Sequence, residues 1–181
     1  MALEPVAKQR REGALRLTSF DTRYAGRVVS WVRDAEEAYW LAPRTTPPLT
    51  AEKVRGWSGS GREPLMLIDW PDPVPLGYGE LNILQRKNRT FWLGHLIIDP
   101  ARRGQGLGRL LTQLLLQRAF YVYEARRVTL VVFPGNVAGV AAYRSAGMVE
   151  DGFEIHSFPA YRTRVELLRF RATPVEFPAT E

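Results

Sequence analysis

Apolar and polar positions alternate along Leu15-Arg16-Leu17-Thr18-Ser19-Phe20, a period of two that predicts a first strand. The period then becomes helical. Val28, Val29, Val32 and Ala35 share one face of a helix that runs to Tyr39-Trp40-Leu41, with Asp21 or Thr22 as its cap. Pro43 to Pro48 reads as a loop, and Thr50 opens a short second helix through Trp57, stopped at Ser58-Gly59-Ser60-Gly61. Pro64 to Asp69 is an apolar strand, closed by the turn Pro71-Asp72-Pro73. Leu76 to Gln85 and Thr90 to Ile98 form a hairpin about Arg86-Lys87-Asn88-Arg89. Leu107, Leu110, Leu111, Leu114 and Leu115 then recur at one-face helical spacing. Val128 to Phe133 is continuously apolar, as a buried strand is. A helix from Asn136 ends at Gly147 as a left-handed cap, and Met148 to Ser157 with Arg164 to Arg171 make a closing hairpin. This order predicts an α/β fold: one mixed, mostly antiparallel sheet of about seven strands with four helices. Residues 1–13 read as a polar lead-in, 14–171 as a single domain, and 172–181 as a tail.

Composition narrows the chemistry. The 181 residues contain no cysteine, which excludes disulfides, thiolate metal sites and a cysteinyl acyl intermediate. Two histidines without a carboxylate cluster at ligand spacing predict no metal site. No apolar run approaches the ~20 residues of a membrane span, and the N-terminus lacks the pattern of a signal peptide, so a cytoplasmic protein without a membrane partner is expected. The net charge of +6 favours an anionic partner. Its basic residues are spread without aromatic interleaving, so nucleic-acid binding ranks last. Oligomeric state is open, a homodimer included.

The sharpest local feature is Arg103-Gly104-Gln105-Gly106-Leu107-Gly108, between a strand and a helix. Free amides and the dipole at a helix start attract anions, and glycines let an anion approach the backbone. Arg102, Arg103 and Arg109 add positive charge. Neither nucleotide fingerprint fits: Arg109 replaces the third glycine of a dinucleotide loop, and no Gly-Lys-Ser/Thr follows.

Arg103-x-x-Gly106-x-Gly108, after Leu96-Ile97-Ile98-Asp99-Pro100, resembles the acetyl-coenzyme A signature of the GCN5-related N-acetyltransferases. Asn136, Gly139, Tyr143 and Gly147 resemble that family's second motif, and the element order is similar from Ala14 to Phe170. The resemblance implies acetyl transfer from acetyl-CoA, a co-substrate, to a primary amine on a small molecule or peptide, by direct attack in a ternary complex. It implies that the amides of Gly104, Gln105, Gly106, Leu107, Gly108 and Arg109 bind the pyrophosphate. Ile97 and Ile98 would hydrogen-bond the pantetheine arm where neighbouring strands splay. Asn136 would contact the cofactor as well as cap its helix, and Tyr143 would protonate the departing thiolate. The same fold also serves non-catalytic coenzyme A-binding or sensing modules, an alternative reading.

The base departs from the pattern. One branch of the family carries a glutamate in the strand before the asparagine, where Val128–Phe133 has valine; others use a carboxylate on the strand holding Trp92 and His95. A hairpin loop of either two or four residues sets Gln85 opposite Thr90. Counting back puts Glu80 opposite His95, on one face with Tyr78, Asn82 and Leu93. Glu80 would orient the His95 ring, making the pair a candidate base or else a structural pair. Trp31, Tyr39, Trp40 and Trp57 lie where the family builds its acceptor lid, and His156 reads as a structural residue.

Overall fold

The computed structural model describes residues 14–71, 73–175 and 177. The predicted lead-in, Asp72 of the predicted turn and most of the last six residues lie outside these.

Seven strands form one sheet in the order β1-β2-β3-β4-β5-β7-β6. They are β1 Ala14–Ser19, β2 Arg62–Trp70, β3 Val74–Gln85, β4 Thr90–Ile98, β5 Arg127–Val132, β6 Val149–Phe158 and β7 Thr163–Ala172. Every neighbouring pair is antiparallel except β4 and β5. Ala172, assigned to the tail by sequence, closes β7. Phe177 packs on Phe120 with ring centroids 5.9 Å apart.

The first predicted helix is two: α1 Ala25–Ser30 and α2 Ala35–Leu41. Asp34, extended and capping Glu37 N at 2.8 Å, starts the second afresh, so the apolar stripe from Val28 to Leu41 bends rather than continuing. Thr50 caps the short α3, Ala51–Arg55. These three helices cover one face of the sheet, where Val28, Trp31, Val54 and Trp57 pack with Met66, Tyr78 and Ile97. The long helix α4, Leu107–Gln117, covers the other face and buries Leu107, Leu111 and Leu115 against Leu65, Leu81 and Leu93. Each such side chain contributes about 1.5–3 kcal/mol by leaving water. The helix α5, Val137–Ser145, lies beside α4, and Gly147 follows it at φ +96°.

Two bulges place the site. The β3–β4 hairpin has the four-residue loop Arg86–Arg89, with Gln85 opposite Thr90. An extra residue at Leu84 on β3 then shifts the register, and two residues of β4, His95 and Leu96, lie opposite Gly79 alone and restore it. Glu80 therefore pairs with Gly94 rather than His95, Trp92 takes the place opposite Asn82, and Leu93 falls on the α4 face opposite Leu81. Alternation cannot foretell an inserted residue. Only Thr90, Phe91 and Trp92 pair with β5, so β4 and β5 part beyond them.

Candidate functional site

The parting strands open a cleft of about 1350 Å³. Its floor is the edge of β4 from Leu93 to Ile98 and of β5 from Thr129 to Val132, and it reaches the glycine turn and α5 at one end. It is also lined by Trp40, Pro43, Arg44, Thr45 and Trp57 from α2, α3 and their loops, with Trp40 close to Gly135 ahead of α5.

Asp99 caps a single 3-10 turn, Pro100–Arg102, by accepting from Ala101 N at 3.0 Å. The chain then passes through Gly104 at φ +74° and Gly106 at φ +76°, the left-handed region that costs other residues about 1–2 kcal/mol. Gly106 is the N-cap of α4 and brings no side chain to the helix's first amides, which leaves them as free donors at the cleft. Gly108 serves differently, because a Cβ there would stand 3.4 Å from the Ala142 methyl of α5.

Of the three arginines at the turn, Arg102 and Arg109 line the cleft without an ion pair among the described residues. Arg103 does not add free charge. It donates to Ile98 O at 3.1 Å, to Trp31 O at 3.0 Å and to Glu37 Oε1 at 2.5 Å, which ties the turn to α1 and α2. Arg33 also donates to Glu37 Oε1, at 2.6 and 2.8 Å. Burial works to raise the Glu37 carboxyl, but the hydrogen bonds from Arg33 and Arg103 outweigh it and hold the group at about 2. Sequence spacing gives no warning of this pairing, since Glu37 and Arg103 lie far apart along the chain.

Asn136 caps α5, its Oδ1 accepting from Gly139 N at 3.0 Å, and it also lines the cleft. Tyr143, about two turns further on, packs its half-buried ring edge-on to Phe170 at 6.0 Å. Its hydroxyl has no hydrogen-bond partner among the described residues, and burial pushes the phenol up to about 12.

His95 enters from the other wall. At φ +50° its backbone sits in the left-handed region, an uncommon setting for a residue with a side chain. The bulge returns its ring to the Glu80 face despite the shifted register, and Nδ1 lies 2.8 Å from Glu80 Oε1. Glu80 is fully buried. It also accepts from Tyr78 Oη at 2.7 Å and from Asn82 Nδ2 at 3.2 Å. Burial pushes its carboxyl upward, but the bonds from His95, Tyr78 and Asn82 prevail and hold it below the ordinary range. Burial and the Glu80 charge push the Tyr78 phenol up, so it stays a donor. A carboxylate accepting at Nδ1 fixes the ring as the Nδ1–H tautomer and leaves Nε2 as the acceptor. The Trp57 indole stacks on the imidazole at 3.9 Å and 7°.

Trp40 and Trp57 line the cleft, whereas Trp31 is buried in the core and Tyr39 packs among Phe133, Phe158 and Tyr161. His156, expected to be structural, lines the cleft and lies between Arg44 and Glu154. Glu154 is two residues away on the same strand, but Arg44 comes from a distant segment that no local pattern announces. Among the described residues no group of three or more metal-ligating side chains comes together, and no helix is long and apolar enough to cross a membrane.

A mixed sheet that splays between two parallel strands, with a glycine-rich helix start at the mouth of the splay, defines a class of coenzyme A-binding folds. Spermidine N-acetyltransferase from Vibrio cholerae, in complex with CoA and spermine, has this fold. It superposes with a TM-score of 0.73 at 16% identity over 91% of this chain and 98% of that one. So does the aminoglycoside acetyltransferase AAC(6')-Ib with ribostamycin and coenzyme A, at TM-score 0.73 and 16% identity over 93% and 98% of the two chains. Residues 28–148 match the model of the acetyltransferase (GNAT) family, and the chain belongs to that family. Spermine/spermidine N(1)-acetyltransferase of Bacillus subtilis is 30% identical over 66 residues, 36% of this chain. That match spans 43% of the relative's length.

Proposed function

We propose that this protein is an N-acetyltransferase that moves the acetyl group of acetyl-CoA to a primary amine by direct attack in a ternary complex. The observation that carries the reading is one cleft lined by free helix-start amides, an unpaired strand edge and an oriented histidine. The names of its relatives, acetyltransferases of polyamines and aminoglycosides, support the amine as acceptor class.

In this reading the amides of Gly104 to Arg109 hold the pyrophosphate and the β4 edge at Ile97 and Ile98 takes the pantetheine amides. Asn136, while capping α5, borders the same arm. The incoming ammonium gives a proton to His95 Nε2, with Glu80 as the positioning residue that receives Nδ1–H. The neutral amine attacks the thioester carbon to form the C–N bond, the C–S bond breaks to release a thiolate, and the nitrogen gives its surplus proton to solvent as the amide forms. Tyr143, which lines the cleft, would offer its hydroxyl to the departing sulfur. A phenol at about 12 outholds a thiol near 8.5 by more than three powers of ten, so Tyr143 stabilises the thiolate chiefly as a hydrogen-bond donor.

The test is thiol release from acetyl-CoA across a panel of amines, with the product mass measured. The expected result is an acetylated amine formed in step with free thiol. His95→Asn and Glu80→Gln should each lower turnover by about 10²-fold and flatten the acidic limb of the pH profile. Binding of acetyl-CoA with no amine acetylated would favour the sensing module instead, and unaltered kinetics in both variants would remove the dyad.

A further inference from the structure

Seven arginines and two glutamates line the cleft, with no lysine and no aspartate. Both glutamates are already matched. Glu37 is held by Arg33 and Arg103, and Glu154 by Arg169 at 3.0 Å and by His156 Nε2 at 3.0 Å. A polycationic acceptor would find no unmatched carboxylate on the cleft wall. Two of the arginines toward the lid are unmatched in the opposite sense.

Arg44 donates from Nη2 to His156 Nδ1 at 3.2 Å, and its guanidinium lies 5.6 Å over the Phe158 ring. Arg62 donates from Nη1 to Trp57 O at 3.2 Å. Neither meets a carboxylate among the described residues, and each keeps most of its five N–H donors. Both are tied to the candidate base through one residue. The Trp57 ring stacks on His95, its carbonyl takes Arg62, and its Nε1–H donates to Thr45 Oγ1 at 3.1 Å, the residue after Arg44. Guanidinium forks match the planar oxygens of carboxylates and the oxygens of phosphates, and here they are oriented without being neutralised. Trp40, Leu41 and Phe158 leave an apolar wall alongside.

We infer that the acceptor is an amine that also carries an anionic group, a carboxylate or a phosphate, received by Arg44 and Arg62, and that polycations are poor acceptors. The inference rests on the amine-transfer reading and narrows it to a class unlike the polyamines and aminoglycosides in its relatives' names. The charge on the acceptor, rather than its amine, sets the choice.

Matched pairs test it: phenylalanine against phenylalaninamide, and O-phosphoethanolamine against ethanolamine, with spermidine alongside. In the wild-type protein the anionic member of at least one pair should show kcat/KM at least about tenfold above its neutral partner, and which pair does so separates carboxylate from phosphate. Arg44→Gln and Arg62→Gln should bring that ratio close to one, chiefly through KM, and Arg44→Glu should raise spermidine turnover. Both residues are exposed, so the variants retain the fold. Equal or better use of the neutral members, or spermidine as the best acceptor, overturns the inference. If no amine is acetylated, the transfer reading fails, and titration of N-acetylphenylalanine and its amide into the CoA-loaded protein decides the charge question alone. Preference for the acid, lost in Arg44→Gln, sustains it; no preference overturns it.

Discussion

Replacing Glu37 by glutamine removes the charge that joins the lid helix α2 to the glycine turn through Arg33 and Arg103. A carboxyl ordinarily near 4.5 that is held at about 2 represents about 3 kcal/mol of stability at neutral pH, at about 1.4 kcal/mol per pH unit. The Glu37 side chain is only 14% exposed, but that of Arg33 is 62% exposed, so solvent screening reduces the effect to about 2 kcal/mol. The sign follows from a depressed carboxylate. The contribution is complete above the ordinary value and is lost as pH falls from about 4.5 through about 2. Glu37→Gln should therefore lower Tm by about 4–8 °C at pH 7, and by roughly three-fifths of that at pH 3.5. Thermal unfolding followed by circular dichroism between pH 3.5 and 7.5 measures both. A deficit that is the same at every pH would refute the electrostatic origin and assign the loss to packing, and no deficit would refute the strut.

Tyr143→Phe removes the hydroxyl while keeping the ring against Phe170, so kcat should fall by about 10²-fold with the KM for acetyl-CoA little changed. Steady-state thiol release checks it, and an undiminished kcat would dismiss the sulfur-donor role. Gly106→Ala forces a side chain to φ +76° at the start of α4; it should cost about 1–2 kcal/mol in denaturant unfolding and weaken acetyl-CoA binding by calorimetry. Affinity and stability both at wild-type values would show that neither the left-handed turn nor the bare amides matter. Leu111→Ala, at a fully buried position of α4, should cost about 3 kcal/mol in the same unfolding assay, and a loss under 1 kcal/mol would contradict the packing described.

The order of elements along the chain and the glycine turn were legible because each rests on local spacing: alternation in β3 and β4, leucines at helical intervals in α4, glycines at 104 and 106. The motif residues Asn136 and Tyr143 were legible for the same reason, being fixed offsets along one helix. What escaped depends on insertions and on distance. The bulges at Leu84 and His95 reverse which residues oppose Glu80, yet the strained backbone of His95 brings its ring to the same carboxylate. The juxtaposition was foreseen through a register that does not occur. Arg103 reads as a free cation until α2 folds over it, and nothing near His156 in the sequence announces that the loop after α2 sets Arg44 beside it. Long-range ion pairing leaves no periodic trace in a sequence.

The central claim is that the glycine turn and the unpaired edge of β4 form one donor site for acetyl-CoA. Amide hydrogen exchange with and without acetyl-CoA tests it at the backbone itself. Protection should appear together in residues 93–98 and 104–109, with β1 and β2 unchanged. Protection at the turn alone, or at neither segment while acetyl-CoA is bound, would contradict it.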